Sequence, residues 1–314
     1  MRDVTKAAAS QTMASRWGRW GVPACALIVL LLVGNAYVVD AKTRAAMARD
    51  GGGIVDTPVV EANVKVEGDG HPIVLIHGFG AAMDWWDDIA PTLANDHRVV
   101  RIDLIGHGGT AAPVSGYTIE RQASLVLAIL DKLGIDRFIV IGHSMGGEVA
   151  TALAEANPGR VERMVLIDSP PVAETTFKFL TRLALMPIVG ELLARAKADA
   201  IIRRGLAQGF APGFAVPNKL IADFRQLTYT AFRSAHDNSV AYEKAKPVYE
   251  RLAAISPAPP LLVIFGSRDQ LVSPASAKLY ENVPGARIAT IDGVGHSPMV
   301  EAPAKVLELL KSFI

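Results

Sequence analysis

Ser144 stands in Gly142-His143-Ser144-Met145-Gly146, directly after the apolar run Phe138 to Ile141. A serine hydroxyl is a poor nucleophile until an imidazole accepts its proton and a carboxylate orients that imidazole. Both partners have candidates downstream, each just past an apolar run. Asp269 ends Gly266-Ser267-Arg268-Asp269 after Leu261 to Phe265, and His296 ends Gly293-Val294-Gly295-His296 after Ile288 to Ile291. The chain order serine, acid, histidine is one of the known orders for this constellation, whose chemistry is acyl transfer through a covalent intermediate. Asp168, just past Met164 to Ile167, is the alternative acid; Asp269 is favoured because Gly266 and its open loop give the side chain room. His77 and His143 belong to turn motifs, and His107 sits in a loop where local hydrogen bonding is the expected task. His71, His97 and His236 have no helpful context.

Acyl transfer also needs N–H donors for the oxyanion that develops. One is the amide of Met145, the residue after the serine, at a helix N-terminus whose dipole adds favourable potential. The second is expected from His77-Gly78-Phe79-Gly80, and Phe79 is the residue chosen.

The elements that must position these groups follow from residue patterning. Phe138 to Ile141 is β-branched and aromatic, bounded by Gly134 and Gly142, and reads as a buried strand; Met145 to Glu155 reads as a helix. Glycines two before and two after the serine let strand and helix pack closely around a strained turn that lifts the hydroxyl out of the sheet. Further short apolar strands are predicted at Val59 to Val66, Pro72 to Ile76, Arg98 to Ile102, Met164 to Ile167, Leu261 to Phe265 and Ile288 to Ile291. Helices are predicted at Asp84 to Leu93, Ile119 to Leu133, Pro274 to Asn282 and Pro303 to Phe313. This alternation predicts an α/β fold, a mostly parallel central sheet with helices on both faces. Right-handed crossovers then bring the carboxyl ends of the strands, and the candidate residues, to one edge. Pro170 to Pro260 breaks the alternation with apolar helical stretches and no convincing strand, and reads as a helical lid at about 171–255. Trp85 and Trp86 are read as packing the first helix on the sheet.

Half of the 314 residues are hydrophobic and the charges nearly cancel to +1, enough for one large core and without the basic excess of a nucleic-acid binder. Cys25 is the only cysteine, so neither an intrachain disulfide nor a cysteine-based metal site is available.

No charge occurs between Arg19 and Asp40, and Val22 to Val39 is dominated by Leu, Val, Ile and Ala. As a helix rising about 1.5 Å per residue it covers most of a hydrocarbon core of about 30 Å. Trp17, Trp20 and Tyr37 stand where amphipathic rings favour the interface. The chain is therefore divided into a basic segment at 1–20, a transmembrane anchor at 21–39, a linker at 40–58 containing Gly51-Gly52-Gly53, and the folded domain at 59–314. Gly34-Asn35-Ala36 resembles a cleavage site, but the long basic region and long apolar run favour a retained anchor. Arg2, Lys6, Arg16 and Arg19 precede the helix, against Lys42, Arg44 and Arg49 after it. That bias puts the N-terminus in the cytoplasm and the folded domain on the extracytoplasmic side.

His77-Gly78-Phe79-Gly80, Asp103-Leu104-Ile105-Gly106-His107-Gly108, Gly142-His143-Ser144-Met145-Gly146-Gly147, Asp269 and Gly295-His296 together resemble the α/β-hydrolase fold superfamily, in its lidded branch of esterases, lipases and carbon–carbon bond hydrolases. The resemblance spans Val59 to Ile314 apart from the lid. It implies that Ser144 is the nucleophile, His296 the base and Asp269 its orienter, with no cofactor. Ile105 and Gly109 depart from the proline and arginine common around the glycine-histidine-glycine loop, without touching the chemistry.

The function expected is hydrolysis of a small apolar carboxylic ester or acyl substrate, in the manner of an esterase or monoacylglycerol lipase. Carbon–carbon bond hydrolysis and a cofactor-free perhydrolase reaction need the same residues. Epoxide hydrolases and haloalkane dehalogenases on this scaffold use an aspartate where Ser144 stands. A membrane-tethered binding module without turnover is the reading from another class, and no catalytic residue is missing to favour it.

Overall fold

The computed structural model describes residues 52–314 except 176 and 197, together with positions 21, 23, 26, 27 and 30, which are helical. The basic segment, nearly all of the stretch expected to span a membrane and most of the linker lie outside the described residues. Among the described residues no helix is long and apolar enough to cross a membrane.

Within residues 52–314 the described strands form one eight-stranded sheet in the order β1-β2-β4-β3-β5-β6-β7-β8. β1 (Gly53–Asp56) and β2 (Glu61–Glu67) form the antiparallel edge. β3 (His71–Ile76), β4 (His97–Ile102), β5 (Phe138–His143), β6 (Val161–Ile167), β7 (Leu261–Gly266) and β8 (Arg287–Ile291) are parallel. β1 falls inside the stretch read as linker. Its four residues show no apolar alternation, and it is held by pairing Gly53 to Val64 and Asp56 to Glu61.

The central strands β5 and β7 are buried along their whole length because both faces of the sheet are covered, whereas the edge strand β8 is partly exposed. In β3, Ile73 and Leu75 join a core layer with Trp86, Ile89, Val306 and Leu310, while Val74 and Ile76 join the opposite layer with Leu125, Ile129 and Val149. Helix α1 is a single turn, Ala90–Leu93, preceded by a 3-10 turn at Met83–Trp86, so the continuous helix expected over 84–93 is split. Pro91 near the start of α1 explains the break, since its missing N–H cannot continue a preceding helix. The Pro274–Asn282 segment is likewise 3-10. α2 (Ile119–Lys132) is capped by the Thr118 hydroxyl, which accepts the Arg121 N–H, and buries Ile119, Gln122, Val126 and Ile129, one stripe at helical spacing. α3 (Met145–Ala156) follows β5.

Between β6 and β7 the chain forms α4 (Phe179–Ala184), α5 (Pro187–Ala196), α6 (Asp199–Leu206), α7 (Asn218–Gln226), α8 (Tyr229–Ala245) and α9 (Val248–Ala254). α10 (Pro298–Glu301) and α11 (Pro303–Lys311) close the chain. Register aligns the ends of the parallel strands: Ile76 pairs with Ile102 and Gly142, His143 with Ile167, and Gly266 with Ile291. The turns carrying Phe79, Ser144, Asp168, Asp269 and His296 therefore all leave the same edge.

Candidate active site

Ser144 has φ 51° and ψ −122°, a conformation that L residues rarely adopt, at the junction of β5 and α3. The flanking glycines permit it by close approach. A Cβ on Gly146 would lie 2.2 Å from the Ile76 carbonyl oxygen, and one on Gly142 would lie 2.4 Å from the Gly146 oxygen.

The structure brings Ser144, His296 and Asp269 into one hydrogen-bonded line. The Ser144 hydroxyl donates to His296 Nε2 at 2.9 Å, and His296 Nδ1–H donates to Asp269 Oδ2 at 2.7 Å. These partners select the tautomer with the proton on Nδ1. Asp269 Oδ1 accepts the N–H groups of Leu271 and Val272 at 2.7 and 3.1 Å. Burial pushes the Asp269 carboxyl upward, but His296 and the two backbone donors outweigh it and hold it below the usual aspartate range.

The ring of His296 is placed through its own backbone. His143 Nε2–H donates to the His296 carbonyl at 2.7 Å, and burial pushes the His143 ring down to about 3, so it stays neutral. The Glu301 carboxylate accepts the Gly295 N–H at 3.1 Å and the Ser297 N–H at 3.3 Å, and reaches the Ala211 N–H in the helical insertion at 2.9 Å.

The loop holding Phe79 runs against the serine turn, since a Cβ on Gly78 would meet His143 Nδ1 at 2.8 Å and Ser144 Cβ at 3.0 Å. Two neutral histidines pin this loop. His77 Nδ1–H donates to the Gly78 carbonyl at 2.8 Å and its Nε2 accepts the Leu104 N–H at 3.0 Å. His107 Nε2 accepts the Gly80 N–H at 3.3 Å. Burial drives His77 well below the ordinary histidine range and His107 to about 4. Met145 occupies the first position of α3, where an amide has no intrahelical acceptor. Asp103 braces the neighbouring loop by accepting from Met83 N, Gly109 N and Asn63 Nδ2, while burial raises its carboxyl to about 6.

A cavity of about 180 Å³ opens on Ser144 and His296. Its walls include Trp85, Phe79 and Met145 from the sheet edge and Phe177, Phe224 and Phe232 from the insertion. Trp85 thus faces this space as well as packing, stacking near His143 and Phe210, whereas Trp86 is wholly in the core. Gln122 and Glu301 act on the site through backbone N–H groups and Asn63 through the Asp103 carboxylate, and no motif in the sequence marks them. Gln122 Oε1 accepts the Ile105 N–H at 2.8 Å from the middle of α2. A polar residue on an otherwise apolar helical stripe is the signal that would have drawn attention to it.

The family model for the alpha/beta hydrolase fold matches residues 71–303. The chain belongs to the α/β-hydrolase family. Among curated relatives, the 2-hydroxymuconate semialdehyde hydrolase of Pseudomonas putida is 27% identical over 274 residues, 80% of this chain and 90% of that protein. Among solved structures, Est816, an N-acyl homoserine lactone degrading enzyme, is 26% identical with a TM-score of 0.67, covering 83% of this chain and 100% of that one. An esterase from Exiguobacterium antarcticum shares the fold at 20% identity and a TM-score of 0.68, over 83% of this chain and 98% of that one.

Proposed function

We propose that this α/β hydrolase cleaves apolar carboxylic esters through an acyl-enzyme on Ser144. The observation that carries the reading is the continuous line from Ser144 Oγ through both nitrogens of His296 to Asp269, at 2.9 and 2.7 Å, facing a cavity walled by aromatic side chains. His296 Nε2 takes the hydroxyl proton as Oγ attacks the ester carbonyl carbon. The carbonyl oxygen becomes an oxyanion that accepts the Phe79 and Met145 N–H groups. Collapse expels the alcohol, which leaves with the proton from His296 Nε2. Water then enters, gives a proton to the same nitrogen and attacks the acyl carbon, and the second collapse returns Ser144 with release of the acid. Asp269 stays ionised throughout and offsets the imidazolium charge.

Rates across p-nitrophenyl esters of increasing acyl length test the substrate class. Turnover is expected to pass through a maximum once the acyl chain fills the cavity, and Ser144→Ala is expected to lower kcat by about 10⁴- to 10⁶-fold. Failure to cleave any of these esters, or a Ser144→Ala protein as fast as the parent, would overturn the proposal.

Carbon–carbon hydrolysis is the second reading, favoured by the identity to the semialdehyde hydrolase. An enol-dione substrate beside the ester panel separates the two, and hydrogen peroxide in the same panel reports perhydrolase activity. Fluorophosphonate labelling that vanishes in Ser144→Ala would dispose of a binding module without turnover.

The same reading includes a retained anchor at 21–39, with the N-terminus cytoplasmic and the domain extracytoplasmic. Support comes from the uncharged run between Arg19 and Asp40 and its basic flank. Full-length protein is expected in the membrane fraction after alkaline extraction and open to external protease in spheroplasts; release by the extraction would count against the anchor.

A further inference from the structure

Asp168 follows the last residue of β6, and with Ser144 it is one of two non-glycine residues with positive φ among the described residues, at 44°. Its N–H extends the β6–β7 ladder by donating to the Ile264 carbonyl at 2.8 Å. The left-handed turn directs the side chain inward, where it is 0% exposed. Oδ1 accepts the Gly266 N–H at 3.0 Å, while Oδ2 has no N–H or O–H donor within reach.

What the Asp168 carboxyl does have beside it is another acid. A carboxylate oxygen of Asp168, one of Asp269 and a ring nitrogen of His296 all lie within 4.8 Å of one another, and all three residues are buried. Two carboxylate anions this close repel strongly where water does not screen them, so one of them keeps a proton. The donors decide which. Asp269 is met by His296 Nδ1–H and two backbone N–H groups, Asp168 by one backbone N–H.

We propose that Asp168 is a positioning residue: a neutral carboxylic acid whose Oδ2–H donates to the Asp269 carboxylate and holds it against His296 Nδ1. This rests on the reading of His296 as the base. The other charged or titratable groups around the pair agree with it. Glu301 adds negative potential, the His143 ring is neutral, and the Tyr280 hydroxyl is engaged with the Ser169 carbonyl at 3.1 Å. Burial first, and the Asp269 charge second, raise the Asp168 carboxyl well above the aspartate range. Its position also makes Asp168 a reserve acid. With Asp269 neutralised, Asp168 can release its proton to solvent and offset the imidazolium itself.

Three measurements on the full chain test this. The infrared difference spectrum of parent minus Asp168→Asn at neutral pH is expected to contain the carbonyl band of a protonated buried acid; its absence would overturn the proposal, whatever the enzyme hydrolyses. Asparagine tolerates the left-handed conformation, keeps an acceptor for Gly266 and supplies an N–H for Asp269. Asp168→Asn is therefore expected to lose less than tenfold in kcat/KM, whereas Asp168→Leu, which has no donor, loses 10- to 100-fold with a displaced pH–rate profile. Equal loss in both, with unmoved profiles, would mean a structural role only. In an Asp269→Asn background residual activity should climb with pH, and adding Asp168→Asn should cut it at least tenfold and flatten the climb. Identical single and double variants would remove the reserve role. If the parent itself takes no fluorophosphonate label, it is the catalytic reading that falls, and the infrared result still judges the acid pair.

Discussion

Two sets of buried acids in this domain are built in opposite ways. At the sheet edge Asp269 is 9% exposed and meets three N–H donors, and the balance keeps it an anion. Beneath the helical insertion, Glu148 of α3 and Glu243 of α8 are 1% and 3% exposed, and each bears on the other's protonation. The Ser239 hydroxyl, also on α8, donates to Glu148 Oε1 at 2.8 Å. Burial raises Glu148 well above the glutamate range and Glu243 to about 7. Similar burial thus yields a charge in one place and a retained proton in the other. The number of donors aimed at the carboxyl decides between them, rather than its distance from water. In the proposed mechanism the charge held at the sheet edge offsets a forming imidazolium. The contact beneath the insertion is arranged as a clasp between the helix that carries the serine and the longest helix of the insertion.

The sharpest way to break this contrast is Asp269→Asn. An amide cannot offset the imidazolium and favours the wrong imidazole tautomer, so kcat is expected to fall by about 10⁴-fold in ester turnover assays. A loss under tenfold that persists when Asp168→Asn is added would place Asp269 among the merely structural acids.

Glu243→Gln probes the other side, and here the effect belongs to stability. A carboxyl whose folded pKa is raised from 4.5 to about 7 binds more protons folded than unfolded between those values. Its stabilisation is therefore complete below pH 4.5 and is lost as pH rises through about 7, a loss on the order of 3 kcal/mol. Urea unfolding should show the parent less stable at pH 8 than at pH 5. Glu243→Gln, which donates to Glu148 but cannot ionise, should lose less over the same interval. An unchanged slope would mean that the two acids share no proton.

Much of the sheet edge was legible because its signals are local. Each parallel strand is a short apolar run ending in a glycine-rich or polar turn, and Ser144, Asp269 and His296 stand at three such ends in an order that few folds use. What binds the turns together was not legible. Glu301 reaches Ala211 across ninety positions of chain, and Asn63 reaches Asp103 across forty, both by contacts that have no sequence period. In the sequence Asp269 and Asp168 read as rival acids, whereas the fold buries them side by side. The antiparallel β1 was hidden because four residues are too few to show alternation. The 3-10 segments were hidden because helical spacing does not distinguish i+3 from i+4 bonding over one or two turns. The insertion could be anticipated as a run of apolar helical stretches, but neither the bounds of its helices nor the wall that Phe177, in a loop, makes with Phe224 and Phe232 from two helices.

β6, from which the insertion departs, and β7, to which it returns, are hydrogen-bonded neighbours, with Ile167 opposite Ile264. A segment pinned at both feet by adjacent strands adds closure entropy only as the logarithm of its length, about 0.6 kcal/mol for each doubling. Closing the chain over that doorway therefore costs little more for a long insertion than for a short one, and what ties the insertion down is its contact with the scaffold, Ala211 on Glu301 and Ser239 on Glu148 among them.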